Sequence, residues 1–131
     1  MSKFEEANIQ EAIVKRFHIA PIGKPRMTQQ DKWKKRTCTT KYWFFKDHLN
    51  TNKGSFELPD SFTILFCLPF PKSYSNKKCK ELFLRKHQEK PDIDNLIKAV
   101  LDSLKKEDKD VYEIRAKKVW SRKPSIFIIA S

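Results

Sequence analysis

Two aspartates, Asp92 and Asp94, stand on either side of Ile93, directly after Pro91. In an extended segment, residues two apart point to the same side, so both carboxylates can converge on one ion. Pro91 favours that approach, because it fixes its own φ and disfavours the helical region for Lys90. Paired carboxylate oxygens suit Mg²⁺ or Mn²⁺, hard cations that retain several waters and bridge protein carboxylates to phosphate oxygens. Lys98 follows four residues after Asp94, and Asp102 four after Lys98, so on a helix the three share one face. The Lys98 ammonium can then stabilise charge on a phosphoryl transition state or polarise an attacking water, beside carboxylates that keep it protonated. The acidic run Glu107, Asp108 and Asp110 comes soon after and leads toward the next strand, where it can return one or two carboxylates to the first pair. The chemistry this combination suits is metal-assisted phosphodiester cleavage.

Each feature also has a plainer explanation. Two Asp at a helix start are ordinary capping chemistry, the Asp94, Lys98, Asp102 spacing is that of a solvated ladder, and the acidic run can be a surface turn. Net charge decides between them. With 28 Lys+Arg against 16 Asp+Glu the formal net charge is +12, so the natural partner is a polyanion. A knot of acids in such a protein repels that partner unless cations neutralise it, and metal-dependent cleavage accounts for both.

The elements that must position these groups follow from periodicity. Asp94 to Leu104 places Leu96, Ile97, Val100, Leu101 and Leu104 on one stripe at helical spacing, with Asp94 able to cap the helix. Ala12 to Ile19 reads as a first strand, stopped by Pro21, Gly23 and Pro25, and Tyr42 to Leu49 allows a helix. Phe62 to Leu68 is a buried strand ended by Pro69 and Pro71, and Ser75 to Lys86 is a basic helix. Val111 to Val119 and Ser125 to Ala130 read as two closing strands in a hairpin around Ser121 to Pro124. The expected fold is α/β in the α+β sense: a single small domain over residues 1–131, with a mixed or antiparallel sheet packed with two or three helices.

Composition narrows the function. A chain of 131 residues holds one core and one site, and apolar residues at 39% with ten Phe and three Trp suffice to bury that core. Only Gly23 and Gly54 occur, so neither a P-loop nor a dinucleotide fingerprint can be written and no nucleotide cofactor is expected. The longest apolar run, Phe62 to Phe70, is half of a membrane span, and the first ten residues contain no apolar stretch for a signal peptide. A soluble cytoplasmic protein without membrane contact is expected. Cys38, Cys67 and Cys79 are widely spaced, which fits reduced thiols better than disulfides or zinc, and the three His are scattered.

The string Lys90-Pro91-Asp92-Ile93-Asp94-Asn95-Leu96-Ile97-Lys98-Ala99-Val100-Leu101-Asp102-Ser103-Leu104 resembles the signature of the RusA family of Holliday-junction resolvases, crossover-junction endodeoxyribonucleases often carried by prophages. The resemblance extends to Gly23-Lys24-Pro25-Arg26, to the basic segment from Pro71 to His87, and to Val111-Tyr112-Glu113-Ile114 followed by Lys117 and Lys118. It implies a small homodimer, bacterial or phage-encoded and associated with the nucleoid, that binds four-way DNA junctions and makes paired symmetric nicks with Mg²⁺, for which Mn²⁺ can substitute. It further implies that Asp92, Asp94 and Lys98 are catalytic, that Asp92 and Asp94 bind metal, and that Asp108 is the third metal-binding and catalytic aspartate. Asn95 and Asp102 also match signature positions and read as structural, Asn95 supporting the helix start and Asp102 pairing with Lys98.

One departure concerns the third carboxylate. Family members carry a longer stretch after the helix, whereas here only Lys105 and Lys106 precede the acidic run. A helix ending at Leu104 carries the chain ~15 Å from Asp94, and four extended residues return at most ~13 Å. Asp108 therefore reaches back only marginally, and Asp110 competes for its role.

From Lys24 to Arg36 there are six Lys/Arg and one Asp. Lys24, Arg26, Lys32, Lys34, Lys35 and Arg36 are the expected phosphate contacts, with Trp33, and Tyr42 or Phe44, stacking at unpaired bases. The rival readings are a non-enzymatic basic nucleic-acid-binding protein, a nuclease for flaps, forks or RNA, and a resolvase fold whose shortened loop has weakened catalysis.

Overall fold

A computed structural model describes residues 13–25, 37–104 and 107–130. Along the chain run β1 (Ile13–Phe17), α1 (Thr37–Asn52), β2 (Ser61–Leu68), α2 (Asn76–Leu82), α3 (Ile93–Leu104), a 3₁₀ turn (Asp108–Asp110), β3 (Glu113–Trp120) and β4 (Ser125–Ala130). Among the described residues, four strands in a mixed sheet and three helices make an α+β fold. The described residues fall into two compact units: 13–21, 59–89 and 109–130 carry the sheet and α2, whereas 22–25, 37–58, 90–104 and 107–108 carry α1 and α3. Among the described residues no helix is long and apolar enough to cross a membrane.

The sheet has the order β1-β4-β2-β3. β2, a nearly continuous apolar run buried from Ile64 to Leu68, takes a central place, as a strand covered on both faces must. On one face Phe66 pairs with Ile126 and Ile64 with Ile128, all buried. On the other, Leu65, Cys67 and Val119 cluster with Leu84 and Phe127. β3 is the outer strand of the sheet; residues 83–87 cover its Lys118–Trp120 end, and exposed Glu113, Arg115 and Lys117 keep the remaining edge from pairing with another chain.

Two sequence expectations give way here. β3 and β4 do not form a hairpin: β3 pairs with β2 in parallel and β4 pairs with β2 antiparallel on the opposite side. Residues 121–124 step over the end of β2, where the Ser121 N–H donates to the Leu68 carbonyl at 2.8 Å. The more apolar β2 thus takes both neighbours. α2 is also shorter than Ser75 to Lys86. Ser75 caps its start, accepting the Lys78 N–H at 3.2 Å. Its far end unwinds after Leu82 because residues 83–87 pair with β3: the Leu84 N–H donates to Trp120 O at 2.8 Å and the Trp120 N–H to Arg85 O at 3.1 Å.

In the helical unit α1 packs against α3. α1 buries Tyr42, Phe45 and Leu49, and α3 buries Leu96, Ala99, Val100 and Ser103, each set at helical spacing. α1 runs longer than Tyr42 to Leu49 and stops just before Gly54, whose φ of 58° a side-chain-bearing residue adopts only at a cost. Leu96 and Val100 of the expected α3 stripe are fully buried, while Ile97, Leu101 and Leu104 are half-buried.

Candidate active site at the start of α3

α3 begins at Ile93, one residue earlier than expected, so Asp92 rather than Asp94 occupies the capping position. The Asp92 carbonyl accepts the first helical hydrogen bond, from the Leu96 N–H at 3.1 Å. Asp94 therefore sits in the first turn, and the extended-segment argument for pairing the two carboxylates does not apply to it. Both aspartates are exposed, and among the described residues neither carboxylate accepts a hydrogen bond or joins an ion pair. Capping alone would engage the Asp92 side chain as Ser75 is engaged at α2. Here two carboxylates remain available at a helix start, whose partial positive charge favours anions.

A wall stands beside them. The Lys24 N–H donates to the Asn95 carbonyl at 3.2 Å, which lays residues 23–25 against the first turn of α3. The approach needs a residue without a side chain: a Cβ on Gly23 would lie 3.2 Å from Asn95 Cβ and 3.4 Å from Pro91 Cβ. Gly23, Lys24, Pro25, Lys90, Pro91, Asp92 and Asn95 together line an open concavity of about 740 Å³. The Lys90–Pro91 peptide that enters it is cis. Lys24 and Lys90 give it positive charge next to the Asp92 carboxylate.

Lys98 lies exposed one turn beyond Asp94 and makes no ion pair among the described residues. Asp102 is not its partner. Asp102 accepts a hydrogen bond from the Tyr42 hydroxyl, takes another from Lys46 Nζ at 3.1 Å and pairs with Lys24 Nζ at 3.6 Å. Partial burial pushes its carboxyl up, but the Tyr42 and Lys46 hydrogen bonds and the Lys46 and Lys24 charges outweigh burial and hold it below the usual range. Burial, reinforced by the Asp102 hydrogen bond and charge, drives the Tyr42 hydroxyl well above its ordinary value.

Asp108 and Asp110 lie exposed in the 3₁₀ turn, not in an extended run. No group of three His, Cys, Asp or Glu able to hold a metal gathers among the described residues. Asp92 and Asp94 nonetheless fit a divalent cation by donor chemistry, offering hard anionic oxygens that are solvent-facing and otherwise unengaged. Such a pair suits an ion that keeps part of its water shell rather than one enclosed by protein.

Of the expected DNA contacts, Arg26, Lys32, Trp33, Lys34, Lys35 and Arg36 lie outside the described residues. Lys24 is described and is held by Asp102. Tyr42, expected to stack on bases, is instead core, while Phe44 is exposed. Sequence reasoning missed Lys46 and Trp43, the latter exposed with Lys46 Nζ 4.8 Å from its ring centroid. The i, i+4 spacing of Tyr42 and Lys46 was the available signal, but nothing local pointed to Asp102 as their shared partner.

Comparison with known proteins bears on this arrangement. The "Uncharacterized protein YqaN" of Bacillus subtilis (strain 168) is 34% identical over 79 residues, covering 54% of this chain and 56% of that protein. The chain thus spans about half the length of this curated relative. No solved structure matches. The family model for endodeoxyribonuclease RusA matches residues 18–130, a span that takes in the Gly23 to Pro25 wall, the Asp92 and Asp94 pair and strands β2, β3 and β4, and begins just after β1. The chain belongs to the endodeoxyribonuclease RusA family.

Proposed function

We propose that the chain acts as one endonuclease domain, a divalent-metal-dependent enzyme that resolves four-way DNA junctions by paired symmetric nicks. The observation that carries this reading is the pair of unengaged carboxylates at the start of α3, Asp94 and Asp92, the latter lining an open concavity with Lys24 and Lys90. Phosphodiester hydrolysis needs charge neutralised on the phosphate and a water made nucleophilic. Asp92 and Asp94 would hold Mg²⁺ or Mn²⁺, with Asp108 as the candidate third ligand. The chemistry such an ion supplies when bound is Lewis acidity toward the phosphodiester and toward water. Lys98, one turn after Asp94, carries an ammonium free to neutralise charge that develops on the phosphate oxygens. The water oxygen bonds to phosphorus and gives up a proton, one phosphate ester bond breaks, and the leaving oxygen takes up a proton, so none is gained or lost overall.

Paired nicks require two equivalent sites, which a two-fold homodimer supplies to a junction with two equivalent strands. The excess of basic residues draws the DNA in, with Lys24 and the segment Arg26 to Arg36 as candidate contacts. A cytoplasmic, nucleoid-associated setting follows from a DNA substrate. A second reading is favoured by one observation: no third carboxylate joins a metal-holding group among the described residues. It is a family member that binds junctions and leaves them uncut. Incubation with labelled four-way junction, flap, fork and linear duplex in Mg²⁺ separates the two. Nicking restricted to the junction supports the first, and tight junction binding with every substrate intact supports the second.

A further inference from the structure

Asp102 lies ten residues after Asp92, so the two are ~15 Å apart along α3 at about 1.5 Å per residue. Around Asp102 a second constellation forms, which shares Lys24 with the concavity beside Asp92. Two ammonium groups, Lys46 at 3.1 Å and Lys24 at 3.6 Å, meet one carboxylate and leave one positive charge in excess. Their side chains remain 20% and 38% exposed, so an anion can reach both. Tyr42, fully buried, braces Asp102 from below through its hydroxyl.

An aromatic surface adjoins these charges. Trp43 is 51% exposed, Lys46 lies over its ring, and neighbouring Phe44 is 69% exposed. Large aromatic rings gain by burial, and an open indole next to cations offers what a nucleotide requires: a stacking face for the base and point charges for the phosphate. Lys41 adds an exposed cation to α1, whose single acid is Asp47.

We propose that Lys24, Lys46 and Trp43, organised by Asp102, form a subsite for one nucleotide of a DNA strand, with the ammonium groups on its phosphate and the indole against its unpaired base. The proposal rests on the nuclease reading above and adds to it a contact some way from the scissile position. That separation is roughly four nucleotides of duplex rise at about 3.4 Å each. Asp102 acts as a positioning residue: it holds two flexible lysines where a phosphate will meet them, so their ordering is complete before DNA arrives.

The test is fluorescence anisotropy of a labelled four-way junction and a labelled oligo(dT) in EDTA, across a salt series. The proteins are the wild type, Lys24→Met, Lys46→Met, Trp43→Leu, Asp102→Asn and Asp102→Asn/Trp43→Leu. Trp43→Leu should weaken oligo(dT) binding about tenfold with an unchanged salt slope. Each lysine variant should reduce the slope of log affinity against log salt by about 0.7 to 0.9. With Asp102→Asn already present, Trp43→Leu should have little further effect, because coupled residues are not additive. Wild-type affinity and slope in the three single contact variants overturns the subsite. So does a Trp43→Leu loss that sedimentation traces to conversion of a dimer into monomers, because a second copy would then occupy the face. If these affinity changes appear but the wild type nicks no junction in Mg²⁺, the nuclease reading fails and the subsite stands. If the wild type nicks and the changes are absent, only the subsite fails.

Discussion

Replacing Gly23 with alanine tests whether the wall beside Asp92 is held by close backbone approach. The new Cβ would sit 3.2 Å from Asn95 Cβ and 3.4 Å from Pro91 Cβ, whereas carbon atoms pack best at about 3.5–4.0 Å. Gly23 does not need the left-handed region, so space is the sole obstacle. Overpacking of this size costs ~1–2 kcal/mol, and alanine returns ~0.4–1 kcal/mol by restricting the unfolded chain. The net loss is about 1 kcal/mol, a fall in Tm of roughly 3–5 °C for a chain of this length. There is also a local effect. Moving residues 23–25 a few tenths of an ångström from α3 lengthens the Lys24 N–H bond to Asn95, already long at 3.2 Å, and since a 1 Å misplacement can cost ~100-fold in rate, a shift of this size costs several-fold. Gly23→Ala should therefore lower junction nicking several-fold while urea unfolding records only the small stability loss. Wild-type nicking together with wild-type stability in this variant would mean that the close approach positions nothing.

Two further outcomes follow from buried titratable groups. Burial, aided by the Lys118 charge and only partly opposed by Glu89 and backbone contacts, lowers the His87 pKa, its ring packed 4.1 Å from that of Trp120. The folded state then binds this proton less readily than the unfolded state, so stability is full above the ordinary histidine pKa near 6.5 and declines as pH falls below it. The urea midpoint should drop from pH 7.5 to 5.5 and drop less in His87→Gln; identical profiles would contradict this. Burial pushes the Cys67 thiol up to about 11, leaving roughly one thiolate in a thousand at pH 8. Iodoacetamide should modify Cys67 only after denaturation, as peptide mass spectrometry would record, and rapid labelling of the native protein would place this strand outside the core.

How far the sequence was legible depended on whether the deciding contact was local. β2 and α3 could be read directly, because a run of apolar residues and a stripe at helical spacing report burial without knowing the neighbour. The β3–β4 hairpin misled because Ser121 to Pro124 is a turn signal whichever strands it joins, and β2 competes for both edges. The end of α2 was set by pairing of residues 83–87 with β3, and the length of α1 was obscured by exposed Trp43 and Phe44 in place of a clean apolar stripe. Asp92, Asp94 and Lys98 were visible through their spacing alone. The partners of Asp102 were not, since Tyr42 and Lys46 are 60 and 56 residues distant and Lys24 lies on another segment. Lys98, the partner expected from i, i+4 spacing, was displaced by groups that only the packing of α1 on α3 brings near.

The proposed role of Asp92 and Asp94 in metal-dependent cleavage of branched DNA is best tested by nicking of a labelled four-way junction by the wild type and by Asp94→Asn, each with Mg²⁺ and with EDTA. Paired nicks are expected for the wild type in Mg²⁺ only, none for Asp94→Asn, and junction affinity preserved in the variant. Nicking by Asp94→Asn at the wild-type rate, or nicking that persists in EDTA, would contradict that role.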